Sequence, residues 1–284
     1  MNHLVELKNV NKRFGSTKAL DDISLKIPGG RIVGLVGPNG AGKTTMLRAL
    51  TGLISYDGEI SILGVEPKKD RPKLMEKTGV IHDIPVLPPW MTVNQVLKFQ
   101  ENIHPGFHLS QCEKMLESTE ITFNKKIKHL SKGMKTQLHL AIVLSSDTQL
   151  LILDEPTHGL DILFRKRLYS SVLEDYFDET KSVLISTHQV EEVEHILTDV
   201  IFINHGKIIL YESMERLSEK YVLLTVADAE AEKVRKMNPL TENYLLGKRT
   251  FLLDTPDRKI IEELGKVSPP TVVDIFMAIM GGAE

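Results

Sequence analysis

Short apolar segments alternate with helical patterns along most of the chain. Apolar residues recur at about every second position in 4–10 and again in 20–27, which predicts two strands. Three further runs are short and almost wholly apolar, as in buried strands: Ile32–Val36, Leu150–Leu153 and Ser182–Ser186. Strands that alternate with helices predict a βαβ core with a parallel sheet. We therefore expect an α/β fold.

Helical spacing dominates two parts of the sequence. Residues 44–53 carry apolar side chains on one face, which predicts a helix directly after the Ile32–Val36 strand. The region of about 85–145 has few strand signals and three candidate helices, which begin near the capping residues Thr92, Ser110 and Ser131. We expect this region to form a helical subdomain.

The C-terminal part changes to shorter elements. Residues 199–211 predict a strand, a turn at Asn204-His205-Gly206 and a second strand. Beyond residue 219 a short alternation of strands and helices predicts a small α+β accessory domain over 220–284, after a larger domain over 1–219. Near the start of the chain, Asp57-Gly58 predicts a hairpin-type turn.

Composition excludes several classes of protein. The 284 residues are 42% hydrophobic and 26% charged, which is ordinary for a soluble protein with a real core. The net charge of −3 argues against a surface built wholly for nucleic acid, so we expect no nucleic-acid partner. The single cysteine, Cys112, cannot form an internal disulfide and favours a reducing compartment. No apolar run approaches the ~20 residues that span a bilayer.

A phosphate-binding loop is the strongest chemical signal in the sequence. Residues 37–45 match the pattern G-x-x-x-x-G-K-[ST] between a predicted strand and a predicted helix, and this context disfavours a chance glycine-rich turn. Glycines let backbone N–H groups surround phosphate oxygens, and the helix N-terminus adds positive charge. Lys43 can reach the β- and γ-phosphates, and the Thr44 hydroxyl can bind Mg²⁺. The loop consists of Gly37, Pro38, Asn39, Gly40, Ala41, Gly42, Lys43, Thr44 and Thr45.

Two acidic residues follow the Leu150–Leu153 strand. Asp154 is predicted to bind Mg²⁺, directly or through water, and Glu155 points elsewhere because side chains alternate along a strand. A carboxylate beside the γ-phosphate can position and polarise the attacking water. The alternative is an ordinary strand that ends in a solvated acidic turn.

Residues 130–134, Leu-Ser-Lys-Gly-Met, open the helix that precedes this strand. Here the chain resembles the ATP-binding subunits of ABC transporters, whose signature is L-S-G-G-Q, and the S-x-G-M form resembles the bacterial drug, bacitracin and peptide exporters. Other matches follow in order: Phe14 as the aromatic residue that stacks on adenine, Gly159-Leu160-Asp161 as the D-loop, and His188 as the switch histidine. The resemblance covers residues 3 to about 215.

The resemblance implies a P-loop NTPase with a RecA-like parallel core, an N-terminal antiparallel β subdomain, a helical signature subdomain and a small C-terminal α+β appendage. It assigns Glu155 and His188 to catalysis, and ATP and Mg²⁺ as cofactors. Ser131 and Gly133 would bind the γ-phosphate held by the opposite subunit, so that two chains sandwich two ATP molecules. Considered alone, Ser131 is more simply a helix cap.

The chain departs from the family pattern in a few places. Asp83 stands where the family usually has a glutamine that senses Mg²⁺ and contacts the membrane partner. Lys132 and Met134 replace Gly and Gln of the signature, and His158 precedes the D-loop where serine is common. Trp90 follows two prolines, and its position fits a docking contact and simple packing equally.

The expected function is that of an ATP-hydrolysing motor subunit for transport through separate membrane permease subunits, at the cytoplasmic side of the cell membrane. The resemblance favours export, with a second ATP-binding subunit in a homo- or heterodimer. One alternative is a soluble ABC ATPase acting on ribosomes or DNA, although such proteins typically carry a long coiled-coil insertion or a second ATPase domain. Another is a module that binds ATP without hydrolysis, which Glu155 and His188 argue against.

Overall fold

A six-stranded sheet is the largest sheet in the described part of the structure, a computed structural model that describes residues 3–82, 87–157 and 162–281. Its strands in spatial order are β5 (Thr78–Ile81), β6 (Leu150–Asp154), β7 (Ser182–Thr187), β3 (Ile32–Val36), β8 (Asp199–Asn204) and β9 (Lys207–Ser213). The first four pair in parallel, and β3, β6 and β7 are buried along their whole length. This confirms the predicted α/β fold with a parallel core.

A second, antiparallel sheet contains β2 (Thr17–Ile27), β1 (Val5–Phe14) and β4 (Asp57–Ile62) in that order. The predicted hairpin turn at Asp57-Gly58 is wrong, because these residues begin β4, which pairs with the distant strand β1. Gly58 has φ +92°, and a Cβ there would lie 2.4 Å from the Asn9 carbonyl oxygen. A glycine at this position therefore allows the backbones of β1 and β4 to lie close together.

The helix after the phosphate loop, α1 (Lys43–Leu50), is shorter than predicted. It ends because Gly52 adopts φ +65°, the left-handed conformation that commonly follows a helix C-terminus. Two more helices accompany the sheets: α2 (Arg71–Met75) and α6 (Ile162–Ser171), the latter continued by a π-helical turn over Val172–Tyr176.

Three helices form a separate apolar cluster: α3 (Val93–Ile103), α4 (Leu109–Glu117) and α5 (Lys132–Leu144). Thr92 and Ser131 cap α3 and α5 as predicted, since their hydroxyls accept the backbone N–H groups of Gln95 and Met134. Ser110 is not a cap. The N-cap is His108, two residues earlier, and its carbonyl accepts the Cys112 N–H at 3.1 Å as the first turn of α4 forms.

The C-terminal residues form a β-α-β-β-α-β arrangement, the ferredoxin-like order. Its elements are β10 (Tyr221–Ala227), α8 (Ala231–Arg235), β11 (Thr241–Leu245), β12 (Lys248–Asp254), α9 (Arg258–Leu264) and β13 (Lys266–Ser268). The strands lie in the order β11-β12-β10-β13, and each pair of neighbours is antiparallel. The helices α7 (Met214–Lys220) and α10 (Val272–Gly281) flank this unit in sequence.

The chain divides into two compact units. The first comprises Met1–His188 and Ile201–Leu210, and the second Gln189–Val200 and Tyr211–Glu284. The domain assignment of 1–219 and 220–284 remains a prediction.

Candidate nucleotide site

The phosphate loop connects β3 to α1 and has a backbone that only glycine accommodates at its critical positions. Gly42 is the N-cap of α1 at φ +112°, and a Cβ there would lie 2.7 Å from the Ala19 carbonyl oxygen. A Cβ on Gly37 would lie 2.3 Å from the Ile203 carbonyl oxygen. The loop is therefore pressed between β2 and β8, and the N-terminus of α1 faces its interior.

Lys43 lies in the interior of this loop and is only 6% exposed. Its ammonium donates hydrogen bonds to the carbonyls of Gly37 and Pro38 at 2.7 and 3.3 Å. The same nitrogen lies 3.5 Å from Glu155 Oε1. A buried ammonium needs such partners, and the arrangement places one positive charge beside the loop glycines.

The end of β6 provides a cluster of oxygen atoms. Asp154, 4% exposed, accepts hydrogen bonds on Oδ1 from the Thr44 hydroxyl at 3.1 Å and the Ser186 hydroxyl at 2.6 Å. These hydroxyls come from α1 and β7, so three elements converge on one carboxylate. Carboxylate and hydroxyl oxygens are hard ligands of the kind that Mg²⁺ prefers, so the donor set fits this ion.

Glu155 occupies a special backbone position directly after β6. Its φ of +48° is left-handed, and its N–H donates to the Ser186 carbonyl and hydroxyl at 3.1 and 3.2 Å. The side chain turns toward the phosphate loop, where Oε2 lies 2.6 Å from His188 Nδ1 while Oε1 faces Lys43. One carboxylate thus links the loop lysine and the histidine that follows β7. Strain of this kind in a non-glycine residue concentrates at functional sites.

An open cleft of about 430 Å³ brings most of the predicted residues together. It is lined by Thr17, Lys18, Ala19, Pro38, Asn39, Gly40, Gly42, Lys43, Thr44, Thr45, Glu155, His188 and His205. Sequence reasoning missed the residues at the start of β2 and His205. The turn at Asn204-His205-Gly206 was predicted, but its spacing gives no sign that it returns to the phosphate loop.

Other predicted residues lie outside this lining. Phe14 is 52% exposed at the end of β1, with the Lys12 ammonium 5.0 Å from its ring centroid. Ser131 and Gly133 are at the N-terminus of α5, where Ser131 is exposed and a Cβ on Gly133 would meet only the Ser131 hydroxyl, at 4.0 Å. Trp90 is 71% exposed.

Several predictions fall outside the residues described. They concern Asp83, His158 and the D-loop tripeptide Gly159-Leu160-Asp161. The neighbouring His82 is described: burial lowers its pKa, and the Asp154 carboxylate opposes this to a smaller extent.

Comparison with known proteins assigns the fold and the loop to a family. The family described as ABC transporter matches residues 20–158. The chain is 32% identical to the ABC transporter ATP-binding protein YtrB of Bacillus subtilis, over 98% of this chain and 99% of that protein. It is 29% identical to the Nod factor export ATP-binding protein I of Sinorhizobium fredii, over 98% of this chain and 86% of that protein.

A solved structure agrees with this assignment. The post-hydrolysis dimer of the ATP-binding cassette MJ0796, bound to ADP and Pi, superposes with a TM-score of 0.63 at 25% identity, over 74% of this chain and 98% of that one. The parallel sheet and phosphate loop define a P-loop nucleoside triphosphatase. The chain belongs to the ABC transporter family as an ATP-binding subunit, and it is an ATPase. The alternative of an ABC ATPase acting on ribosomes or DNA is not favoured.

Within the described ranges, none of the helices combines the length and apolar character needed to cross a bilayer.

Proposed function

We propose that this chain is a motor subunit of a membrane exporter, working as one of two ATP-binding subunits on separate permease subunits. The observation that carries the proposal is the Glu155 carboxylate, held 3.5 Å from Lys43 and 2.6 Å from His188 beside the phosphate loop. A carboxylate at this place can act on a water molecule next to a bound γ-phosphate. The other residues of the site bind ATP and compensate the negative charge of its phosphates.

The phosphate loop binds the triphosphate. Backbone N–H groups at the α1 N-terminus and the Lys43 ammonium together meet the negative charge of the β- and γ-phosphates. Because Lys43 is buried and already fixed by two carbonyls, little reorganisation is needed when phosphate arrives.

Thr44 and Asp154 are the residues that would hold Mg²⁺. No group of three histidine, cysteine or acidic side chains suited to a metal occurs in the described part of the chain. This suits Mg²⁺ in nucleotide sites, which usually takes one or two protein oxygens together with waters and phosphate oxygens. When bound, the ion neutralises charge on the γ-phosphoryl group.

Glu155 is proposed as the base in hydrolysis. The water oxygen forms a bond to the γ-phosphorus, the bond from that phosphorus to the bridging oxygen breaks, and ADP leaves with the electron pair. The proton lost by water passes to the Glu155 carboxylate. His188 holds the other carboxylate oxygen at 2.6 Å, which fixes the orientation of the base.

The second half of each site is proposed to come from another ATP-binding subunit. Ser131 and Gly133 lie at an exposed helix N-terminus, outside the chain's own cleft lining among the described residues. A helix N-terminus with a serine hydroxyl and an open glycine suits the γ-phosphate of a partner subunit. Two chains in this arrangement would enclose two ATP molecules.

Export through permease subunits is supported by the family and by the S-x-G-M form of the signature. The relative from Sinorhizobium fredii is named as an export ATP-binding protein. We place the chain at the cytoplasmic side of the membrane, bound to the permease, where it has access to ATP.

The test is purification of the tagged chain from detergent-solubilised membranes of its source cell, beside Glu155→Gln as a matched variant. We expect a polytopic membrane protein in stoichiometric amount with both forms, and substrate uptake into inside-out vesicles only with the wild type plus ATP. Ribosomes or DNA as the bound partner, without a permease, would contradict the proposal. Uptake in right-side-out vesicles instead would reverse the direction to import.

A further inference from the structure

The turn between β8 and β9 brings a histidine into the nucleotide cleft. His205 lines this cleft together with the start of β2 and the phosphate loop. Its φ of +46° is left-handed, a conformation that is unfavourable for residues other than glycine and that persists where neighbours hold it. The sequence marks this segment only as a turn.

Hydrogen bonds fasten this turn to both walls of the cleft. The Gly206 N–H donates to the Ala41 carbonyl at 2.9 Å, and the Asp21 N–H donates to the Gly206 carbonyl at 2.8 Å. A Cβ on Gly206 would lie 2.8 Å from the Ala19 carbonyl oxygen, so the backbones are in contact. His205 is therefore held beside the phosphate loop on one side and β2 on the other.

The charged groups around the turn are paired with each other. Asp21 forms an ion pair with Lys18 and another with Lys207 at 3.4 Å. The His205 imidazole, in contrast, has no hydrogen-bond or ion-pair partner within the part of the chain that the structure describes. The side chain is exposed to solvent in the cleft, so its donor and acceptor are available to a bound ligand.

The position of His205 along the cleft indicates which part of a bound nucleotide it would contact. Thr44, Glu155 and His188 line the end where the γ-phosphate is proposed to bind. Phe14, the predicted adenine contact, pairs with Thr17 across the β1–β2 turn at the other end. Beside Ala19 and Ala41, His205 lies between these ends, where the ribose of ATP would pass.

We infer that His205 hydrogen-bonds a ribose hydroxyl of bound ATP and so makes the site selective for ribonucleotides; this rests on the proposed nucleotide site. A neutral imidazole has one donor and one acceptor nitrogen, which complements a hydroxyl group. The left-handed backbone orients that ring, so the contact depends on the turn as well as on the side chain.

The test is calorimetric titration without Mg²⁺ of ATP, 2′-deoxy-ATP and 3′-deoxy-ATP against the full chain, His205→Ala and His205→Asn. We expect the wild type to bind ATP about three- to tenfold more tightly than at least one deoxynucleotide, as for one neutral hydrogen bond. His205→Ala should lose this preference. Asn tolerates the left-handed backbone and keeps a donor and an acceptor, so His205→Asn should retain part of the preference, which a general disturbance of the turn would not allow.

Lys207→Ala is the matched control, because Lys207 directly follows the turn at the start of β9 and is outside the cleft lining. It should keep the wild-type preference. The inference fails if His205→Ala retains the preference, or if it weakens all three nucleotides equally, which would indicate a phosphate contact. A wild-type chain that binds no ATP would instead contradict the proposed function.

Discussion

The charge arrangement in the cleft depends on single side chains. Lys43 is buried with a carboxylate 3.5 Å away and two carbonyls within hydrogen-bond reach. Because burial of an unpaired ammonium is costly, these partners hold the Lys43 side chain in place. Each such contact allows a prediction at the scale of one residue.

Lys43→Ala should weaken both ATP binding and turnover. The ammonium compensates phosphate charge in the ground state and does so more strongly in the transition state, so its loss should lower both ATP affinity and kcat. We expect kcat to fall by about 10²–10³-fold, as for removal of one preorganised electrostatic group. Calorimetry and phosphate release measure the two effects, and an unchanged ATP affinity would show that the loop does not bind phosphate through Lys43.

Phe14 is exposed at the end of β1, as an aromatic stacking surface would be. Phe14→Ala should cost about 1–3 kcal/mol of ATP binding, by analogy with base–aromatic stacking, while Phe14→Tyr should be tolerated. Titration with a fluorescent ATP analogue gives the affinities. Equal affinity of wild type and Phe14→Ala would remove Phe14 from the site.

Cys112 should be chemically inert in the folded protein. It is fully buried, and burial raises the pKa of its thiol to about 12, so the reactive thiolate is scarce at pH 8. We expect iodoacetamide to alkylate the folded chain at least about 100-fold more slowly than the guanidinium-unfolded chain. Similar rates for both would mean that α4 opens readily.

At the scale of elements, α10 depends on a side chain from a distant part of the sequence. Glu194 lies in the short 3₁₀ turn Glu194–Ile196, and its Oε1 accepts the Val272 N–H at the start of α10 at 2.9 Å. Burial raises the pKa of this carboxyl, while the bond from Val272 lowers it to a smaller extent. The hydrogen bond from Val272 to this carboxylate caps α10, while burial of the charged carboxylate costs desolvation free energy.

Glu194→Ala should destabilise the chain by about 1 kcal/mol, the usual effect of removing a helix cap. Glu194→Gln should be nearly neutral, because the amide oxygen still accepts the bond without the cost of a half-buried charge. Urea unfolding measures the difference. The control is Glu191→Ala, an exposed neighbour with the same charge change, and equal effects of Glu191→Ala and Glu194→Ala would exclude a specific cap.

Sequence periodicity predicts those elements whose patterns are local. The strand before the phosphate loop and the capped helices at Thr92 and Ser131 depend on neighbours in sequence and are found as predicted. Strand β11 was missed, because its side chains are mostly exposed and show no apolar alternation.

The features that the sequence does not predict depend on contacts between residues that are far apart in the chain. The Asp57-Gly58 pattern predicts a hairpin turn that does not form, because the contact of Gly58 with Asn9 depends on strand pairing that no local pattern contains. The place of His205 in the cleft is not predictable from the sequence for the same reason. It depends on the hydrogen bonds that join Gly206 to Ala41 and Asp21. The loop residues and the Asp154–Glu155 pair are predictable, because each lies in a short contiguous motif whose residue types indicate its chemistry.

At the scale of the whole molecule, we propose that one complete site is formed by two chains. The cleft holds the loop, Glu155 and His188, while the exposed α5 N-terminus presents Ser131 and Gly133 elsewhere. Closing two chains around ATP would supply the missing contacts from the partner. A variant that binds ATP but cannot hydrolyse it should therefore remain closed.

Glu155→Gln is that variant. It keeps the size of the side chain but removes the base and a negative charge beside the γ-phosphate, so ATP binding should survive or tighten. Loss of a positioned base predicts a fall in turnover of about 10²–10⁴-fold.

The most direct measurement combines phosphate release with light scattering of Glu155→Gln, with and without Mg-ATP. We expect almost no phosphate release and a shift from monomer to dimer mass on addition of ATP, reversed when ATP is removed. Lys43→Ala, which should not bind ATP well, is the control and should stay monomeric. If the dimer needs a different second subunit, the shift should appear only on its co-expression. Hydrolysis by Glu155→Gln at the wild-type rate would contradict the central claim that Glu155 is the catalytic base.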